Sequence, residues 1–469
     1  MVFSSLLFLF AYLPTTLAIY YAVPRRARNA VLFAVSLFFY GWGEPVTVFL
    51  MLFTITAAYL FGFWIEKYRK TDEKRAKFAL IASLAVSLSV LVFFKYYNFF
   101  AANLSRIPFL TVPQIPNLRL PIGISFYTFQ VMSYTVDLYR RDCGLQKNYV
   151  AFGTYVTLFP QLIAGPIVRY QEIDRQLQCR RECLSDFSDG VVRFCVGLGK
   201  KVLLGDALAA GHRYFLSLAA FEPTALGGWL GAICYTLHLY FDFSGYSDMA
   251  IGLGKMLGFR FPENFNYPYI AKSITEFWRR WHITLSTWFR EYVYIPLGGN
   301  RHGKARQYRN LVIVWLLTGF WHGAGWNFLL WGAYYAVILI FEKAFLLRLL
   351  ERLPRSVRHL YTMLLVVLGF LIFSTPDLTL AWRDFLSLWG VGTVGFFSPT
   401  VQYQALRSLP LLLVSAIGAT PIPRRIFESI TQKMPKSTAF YPILTVMLLL
   451  LCVAYLVDST FSPFAYLQF

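Results

Sequence analysis

LVIVWLLTGFWHGAGWNFLLWGAYYAVILIF, residues 311 to 341, runs for about thirty residues without a formal charge and holds one histidine, His322, near its middle. About 20 such residues in a helix span the ~30 Å hydrocarbon layer of a bilayer. Eight more windows of this kind occur: Ser5 to Val23, Pro45 to Ile65, Phe78 to Phe94, Leu120 to Val136, Tyr149 to Val168, Pro223 to Phe241, Leu360 to Pro376 and Ser437 to Val457. Only 14% of the 469 residues are charged and 57% are hydrophobic, against roughly a quarter charged in a soluble domain. So many windows cannot all be core helices of a soluble protein. The composition predicts an all-α, polytopic integral membrane protein, read as a single transmembrane domain over residues 1–469.

Lysine and arginine mark the cytoplasmic side of a membrane protein. Arg25, Arg26 and Arg28 follow the first window rather than precede it, which is the reverse of a signal peptide and predicts Met1 outside. The loop from Glu66 to Lys77 carries six basic residues and reads as inside; the tail after Val457 has Asp458 and no basic residue, and reads as outside. In a bacterium both termini would then be periplasmic and the chain would lie in the inner membrane. The net charge of +20 is on this reading mostly orientation and contact with anionic lipid, not nucleic-acid binding. Cys143, Cys179, Cys183, Cys195, Cys234 and Cys452 match no metal-ligand spacing. They are expected to be free thiols, since cytoplasmic disulfides are rare.

The signs of the loops allow a parity test. Basic residues flank Tyr149 to Val168 on both sides, Arg140, Arg141 and Lys147 before it and the run from Arg169 to Lys201 after it. One full crossing would put those flanks on opposite sides, and Pro160, Gly165 and Pro166 break helices, so the window is expected to be re-entrant. Residues 311 to 341 give the same result, with Arg301 to Arg309 before and Lys343 to Arg358 after. From Leu311 to Trp321 a helix would rise roughly 16 Å. With Gly319, Gly323 and Gly325 supplying a permissive turn, His322 is expected near mid-depth at the tip of a broken hairpin. Two short full crossings would satisfy the same parity.

A second polar island runs from Ser273 to Tyr292. On one continuous helix, Thr275, Arg279, His282, Ser286 and Arg290 would share a face, with Trp278, Trp281 and Trp288 among the remainder. That pattern is either an interfacial amphipathic helix or the wall of a substrate path with His282 inward and Arg279, Ser286 and Arg290 contacting the donor. Upstream, His238 and Asp242 are i,i+4 neighbours able to satisfy each other. A metal site from His238, Asp242 and Asp248 follows no trusted spacing, so no metal is expected.

Several stretches resemble the membrane-bound O-acyltransferase (MBOAT) superfamily, in its bacterial branch that contains the alginate O-acetyltransferase membrane subunit. They are Leu120-Pro121-Ile122-Gly123-Ile124-Ser125-Phe126-Tyr127, Phe159 to Ile167, Tyr240 to Ala250, Glu276 to His282, Tyr294 to Asn300 and Trp321-His322-Gly323-Ala324, together with both chain ends, Met1 to Ser5 and Ser462 to Phe469. The resemblance implies a helical fold around a tunnel that narrows near an essential histidine, His322, with a second family histidine at His282. It implies a cytoplasmic acyl thioester donor, here acetyl-CoA, and transfer to a periplasmic serine-bearing partner that acetylates an alginate-like exopolysaccharide. Peptidoglycan is the alternative acceptor.

The chemistry agrees. Acyl transfer to a hydroxyl needs a base with a pKa near working pH, which imidazole supplies. His322 is the expected base, an acyl-imidazole remaining open, while His282 would orient the thioester or stabilise developing negative charge. The loop from Arg301 to Arg309 is a candidate for the CoA phosphates. From residue types alone, His322 could instead bond a carbonyl freed by the glycine turn. The chain could also be a transporter or flippase, since broken helices and midplane polar groups occur there too, or a scaffold for polysaccharide export.

Overall fold

The computed structural model describes residues 1–432 and 440–458; the matched ending from Ser462 to Phe469 lies outside them. No β-strand occurs among the described residues. The α-helices are α1 Leu13–Ala22, α2 Arg28–Gly43, α3 Thr47–Tyr68, α4 Glu73–Leu104, α5 Ile124–Arg140, α6 Tyr149–Thr157, α7 Phe159–Leu162, α8 Tyr170–Gln178, α9 Leu184–Gly199, α10 Asp206–Ala219 and α11 Ala225–Met256. They continue with α12 Ile274–Arg280, α13 Ile283–Phe289, α14 Lys304–His322, α15 Trp326–Phe341, α16 Leu347–Glu351, α17 Arg355–Ser374, α18 Leu378–Ser387, α19 Pro399–Gly418, α20 Ile422–Gln432 and α21 Phe440–Asp458.

Four helices among the described residues are long and apolar enough to cross a bilayer alone: α3, α4, α17 and the 441–458 part of α21. α19 and α20, bent by 70°, would make a fifth span. Every expected window holds helix, but helices also occur outside the windows, among them α2, α19 and the run of α9 and α10. α2 and α19 contain fewer than seventeen consecutive uncharged residues. α9 and α10 join through a π-helical turn, Lys200–Gly205, so Lys200 and Lys201 sit inside a helical run and not in a basic cytoplasmic loop as the charge reading had it.

The chain forms two compact units. The first comprises residues 1–194 and 246–262. Here α3, α4 and α5 pack on one another, and α2 packs on α6. The re-entrant expectation for 149–168 corresponds to two short helices, α6 and α7, broken at Leu158 and buried throughout from Ala151 to Val168. Backbone groups at such a break must find partners inside the protein. Ser36 Oγ accepts from Phe159 N (3.1 Å), Gln161 Nε2 donates to Tyr155 O (2.6 Å) and Tyr155 Oη donates to Val168 O (3.0 Å). Gly123, at φ +73°, lies where any Cβ would meet Leu162 O at 2.7 Å.

The second unit comprises residues 195–245 and 263–465, of which 433–439 and 459–465 are not described. Its centre is the antiparallel hairpin of α14 and α15, with α17 against α15. Neither half of the hairpin meets the criterion for a membrane span. The glycines act here through space and not through φ. Gly323 and Gly325 are extended, at φ −168° and −152°, a conformation any residue adopts. A Cβ at Gly319 would lie 2.2 Å from Phe328 O, one at Gly332 2.4 Å from Trp315 O, and one at Gly323 2.1 Å from the Phe328 ring. The helices approach because no side chain separates them.

A charge cluster fixes the loop after α8 in the first unit. Arg28 Nη1 lies 2.6 Å from Glu182 Oε1, Tyr20 Oη lies 2.9 Å from the same oxygen, and Arg180 Nη1 donates to Asn29 Oδ1 at 2.7 Å. Burial alone would raise the Glu182 pKa, but the bonds from Arg28 and Tyr20 and the Arg28 charge outweigh it and hold the carboxyl below its ordinary value. Glu182→Gln is expected to cost about 3 kcal/mol at neutral pH, because two largely buried guanidinium groups lose their counter-charge. The advantage of the natural residue is whole above the ordinary glutamate pKa of 4.5 and disappears as pH falls through the depressed one. Thermal unfolding of both proteins between pH 7 and pH 3 should show the two curves converging.

Candidate functional site

His282 and His322 both belong to the second unit, and the structure places them against a common ring. The expected continuous helix from Ser273 to Tyr292 does not exist. α12 ends at Arg280, Trp281 is extended, and His282 takes a left-handed conformation at φ +44°, ψ +55° before α13 begins. An L-residue with a full side chain is rare there. Asn264 holds it: Ile283 N donates to Asn264 O at 2.9 Å, and Asn264 Oδ1 lies 2.9 Å from Thr284 Oγ1, 3.3 Å from Thr284 N and 3.0 Å from His282 Nδ1.

These contacts fix the imidazole tautomer. Thr284 N–H can only donate, so the atom it meets is the Asn264 oxygen and not its amide nitrogen. That oxygen can only accept, so His282 Nδ1 must carry the proton. In the neutral ring the lone pair is on Nε2. His282 is 1% exposed and lies outside the membrane-spanning windows; burial pushes its pKa down to about 3. The ring therefore stays neutral, and an orientation that donates through Nε2 to a developing oxyanion is not the one observed. Phe243 packs on it edge to face at 4.8 Å.

The arm before the break, α12, is pinned at its start. Ser273 Oγ accepts from Glu276 N, and the buried Glu342 carboxylate accepts from Ile274 N and Thr275 N, each at 2.7 Å. An anion at a helix N-terminus satisfies N–H groups that have no partner within the helix. Because the helix breaks, Thr275, Arg279, His282, Ser286 and Arg290 do not share one face. His282 is buried, while Arg279, Ser286 and Arg290 are exposed. Arg290 lies 3.6 Å from Glu291.

His322 is the last residue of α14, 5% exposed. Trp331 and Phe373 stand edge-on to it, with centroids at 5.1 and 5.3 Å. Asn327 Nδ2 donates to Phe373 O at 3.2 Å and ties the start of α15 to the end of α17, which holds that wall. Trp321 lies 4.9 Å from the His322 ring and 6.3 Å from the His282 ring. Those two separations bound the distance between the imidazoles by their sum. Behind Trp331 stand Trp278, Trp315 and Tyr335, all within 6 Å of it. Trp278 Nε1, Trp331 Nε1 and Tyr335 Oη are buried and have no hydrogen-bond partner among the described residues. Such groups cost free energy unless something meets them.

His238 and Asp242 do not pair. His238 Nδ1 bonds Gly205 O at 2.9 Å, and Asp242 lies 3.0 Å from Lys201 Nζ. Asp248 pairs with Arg193 at 2.8 Å. Each carboxylate of the considered metal set is thus engaged by a cation. Lys201 is fully buried between Asp242 and Asp206, an ion cluster that the sequence reading missed. The signal was the isolated Asp242 in an apolar window, which demanded a cation from elsewhere. The six cysteines form no disulfide.

The membrane-bound O-acyltransferase family model matches residues 36–381, a stretch that contains both histidines. The chain is 43% identical to a probable alginate O-acetylase from Azotobacter vinelandii, over 94% of this chain and 88% of that one. It is 33% identical to a peptidoglycan O-acetyltransferase from Helicobacter pylori, over 84% and 81%. A teichoic acid D-alanyltransferase from Bacillus subtilis is 32% identical over 63% and 75%.

Asn264→Asp would keep every acceptor contact of Asn264 and add a negative charge against His282 Nδ1. The charge favours imidazolium, so the His282 pKa is expected to rise by about one to three units. Histidine NMR of isotope-labelled protein checks this, with His282→Gln identifying the signal.

Proposed function

We propose a function from one premise: the chain belongs to the membrane-bound O-acyltransferase family. It is an O-acyltransferase of the membrane. In our reading it moves an acetyl group from acetyl-CoA at the cytoplasmic face to a hydroxyl acceptor on the outer side, for O-acetylation of an alginate-like exopolysaccharide through a periplasmic serine-bearing partner. The names of its relatives support an acetyl group and a cell-envelope polymer. The family replaces the transporter, flippase and scaffold readings that the residues had left open. The inner membrane, with both termini periplasmic, follows from the distribution of lysine and arginine.

The observation that carries the mechanism is the placement of His322 beside Trp331, at the tip of a buried hairpin and with a small accessible fraction left. His322 takes the proton of the acceptor hydroxyl as its oxygen attacks the thioester carbonyl. The carbon–oxygen bond forms, the tetrahedral intermediate collapses, and CoA leaves as the thiol with that proton. The indole N–H of Trp331 is the donor for the carbonyl oxygen as it becomes an oxyanion. His282, neutral with its lone pair on Nε2, accepts a hydrogen bond and positions a reactant. Arg279, Ser286 and Arg290, all exposed, suit the phosphate end of the donor at the protein surface, with the loop from Arg301 to Arg309 in the same role.

His322→Ala is expected to lower acetyl transfer by about 10²–10⁴-fold with unchanged thermal stability. Trp331→Phe is expected to lower it about 10²–10³-fold with little change in KM. Transfer of labelled acetyl from acetyl-CoA in proteoliposomes measures both, and a wild-type rate in His322→Ala would end the proposed role. Supplying alginate-type and peptidoglycan acceptor systems in parallel separates the two acceptors.

A further inference from the structure

We propose that the second unit holds a site for one acyl chain of an anionic phospholipid. A cavity of about 390 Å³ lies among α11, the 268–272 turn, α17 and α19. Ligand pockets begin near this size and combine apolar walls with a few converging polar groups. The walls include Leu237, Ile270 and Met363, with the polar residues Lys272, His359 and Thr420; the Thr420 hydroxyl bonds within its own turn, donating to Ile417 O at 2.7 Å and accepting from Ile422 N at 3.3 Å.

The cavity has a polar end and an apolar end. His359 stands one turn into α17 and Thr420 just beyond the end of α19. Met363 is one turn further along α17, and Ala416, another wall residue, is one turn back along α19. Both helices thus place their polar residue at the same end and their apolar one deeper. α17 is one of the spanning helices, and Arg355 and Arg358 at its start put that end on the cytoplasmic side. No acidic residue lines the cavity. Glu276, whose Oε2 accepts from Lys272 N, is engaged by Arg280 at 2.9 Å. His359 Nδ1 bonds Ala271 O at 3.2 Å, which holds the ring at the cavity wall and leaves Lys272 as the cation that meets an anion.

The adjoining helix says where the ligand comes from. α20 turns 70° away from α19 and carries Ile422, Ile426 and Ile430, exposed and one turn apart, while Arg424 pairs with Glu428 at 2.8 Å and bonds Tyr267. An apolar stripe beside basic residues marks a helix lying in the lipid interface. Thr420 stands just before it, so the polar end of the cavity adjoins the headgroup layer. A pocket beside the spanning helix α17, with Lys272 at its polar, cytoplasmic end, matches an anionic headgroup, with its chain lying along Met363 and Leu237. This assignment stands whether or not the chain transfers acetyl groups.

The test uses the whole chain, delipidated in neutral detergent. Dioleoyl phosphatidylglycerol and dioleoyl phosphatidylcholine are titrated separately, with bound lipid counted by native mass spectrometry and protection read by thermal unfolding. The expected result is one retained phosphatidylglycerol, at least tenfold tighter than phosphatidylcholine, with the preference lost in Lys272→Gln/His359→Gln. Ala416→Trp, which fills the cavity without altering Lys272, should abolish binding of that lipid. If either variant fails to fold, Lys272→Gln alone is expected to weaken the same preference severalfold. Equal affinity for the two lipids, or unchanged binding in the variants, would overturn the proposal. Equal protection by inorganic phosphate, or displacement of the lipid by equimolar acetyl-CoA, would overturn it in favour of a soluble anion.

Discussion

A break in a helix frees polar backbone groups, and in apolar surroundings water does not reach them. This constraint governs the second unit, where the interruption at Trp281–His282 stands next to the turn at Gly323–Gly325 through the ring of Trp321. Asn264 supplies the bonds that a continuous helix would have made at the first break, and Glu342 caps the helix that leads into it. Asn327 braces the second. Remove those few side chains and neither histidine has a defined place.

The same economy explains why an acyltransferase can be assembled from so little polar chemistry. The His282 ring is neutral because burial lowers its pKa, and the side chains around the two histidines are amides and indoles rather than charges. Charge is concentrated elsewhere, in pairs that hold helices: Lys201 with Asp242 and Asp206, Arg28 with Glu182, Arg193 with Asp248. The family membership and the geometry therefore meet at the level of chemistry. A buried imidazole stands beside an indole ring, and the role proposed for them is of the kind that acyl transfer to a hydroxyl uses.

Much of this was legible in the sequence. Long uncharged windows gave the spanning helices, and the parity of basic flanks gave both interrupted segments. His322 and His282 stood out because imidazole is costly in apolar surroundings. What escaped had physical causes. α2 and α19 are interrupted by charge too early to count as windows; α2 packs on α6, whereas α19 buries only Val401 and Ser415. Lys200 and Lys201 look like loop residues to any reading of charge alone, because the aspartates that compensate Lys201 lie in a different turn and a different helix. The break at His282 has no glycine or proline to announce it, since its cause is Asn264, eighteen positions away. The hairpin glycines were noticed for the wrong reason: contact with Phe328 and Trp315, rather than backbone freedom, demands them.

The π-helical turn from Lys200 to Gly205 has a consequence for how this protein can change over time. Such a turn holds one residue more than an α-helical turn, and each helical residue rotates the chain by about 100°. Deleting one residue between Lys201 and Asp206 would restore ordinary helix and leave the two residues four apart, on one face still. The extra residue can therefore be lost without parting that ion pair, so the Lys201 and Asp206 side chains constrain this stretch more than its length does.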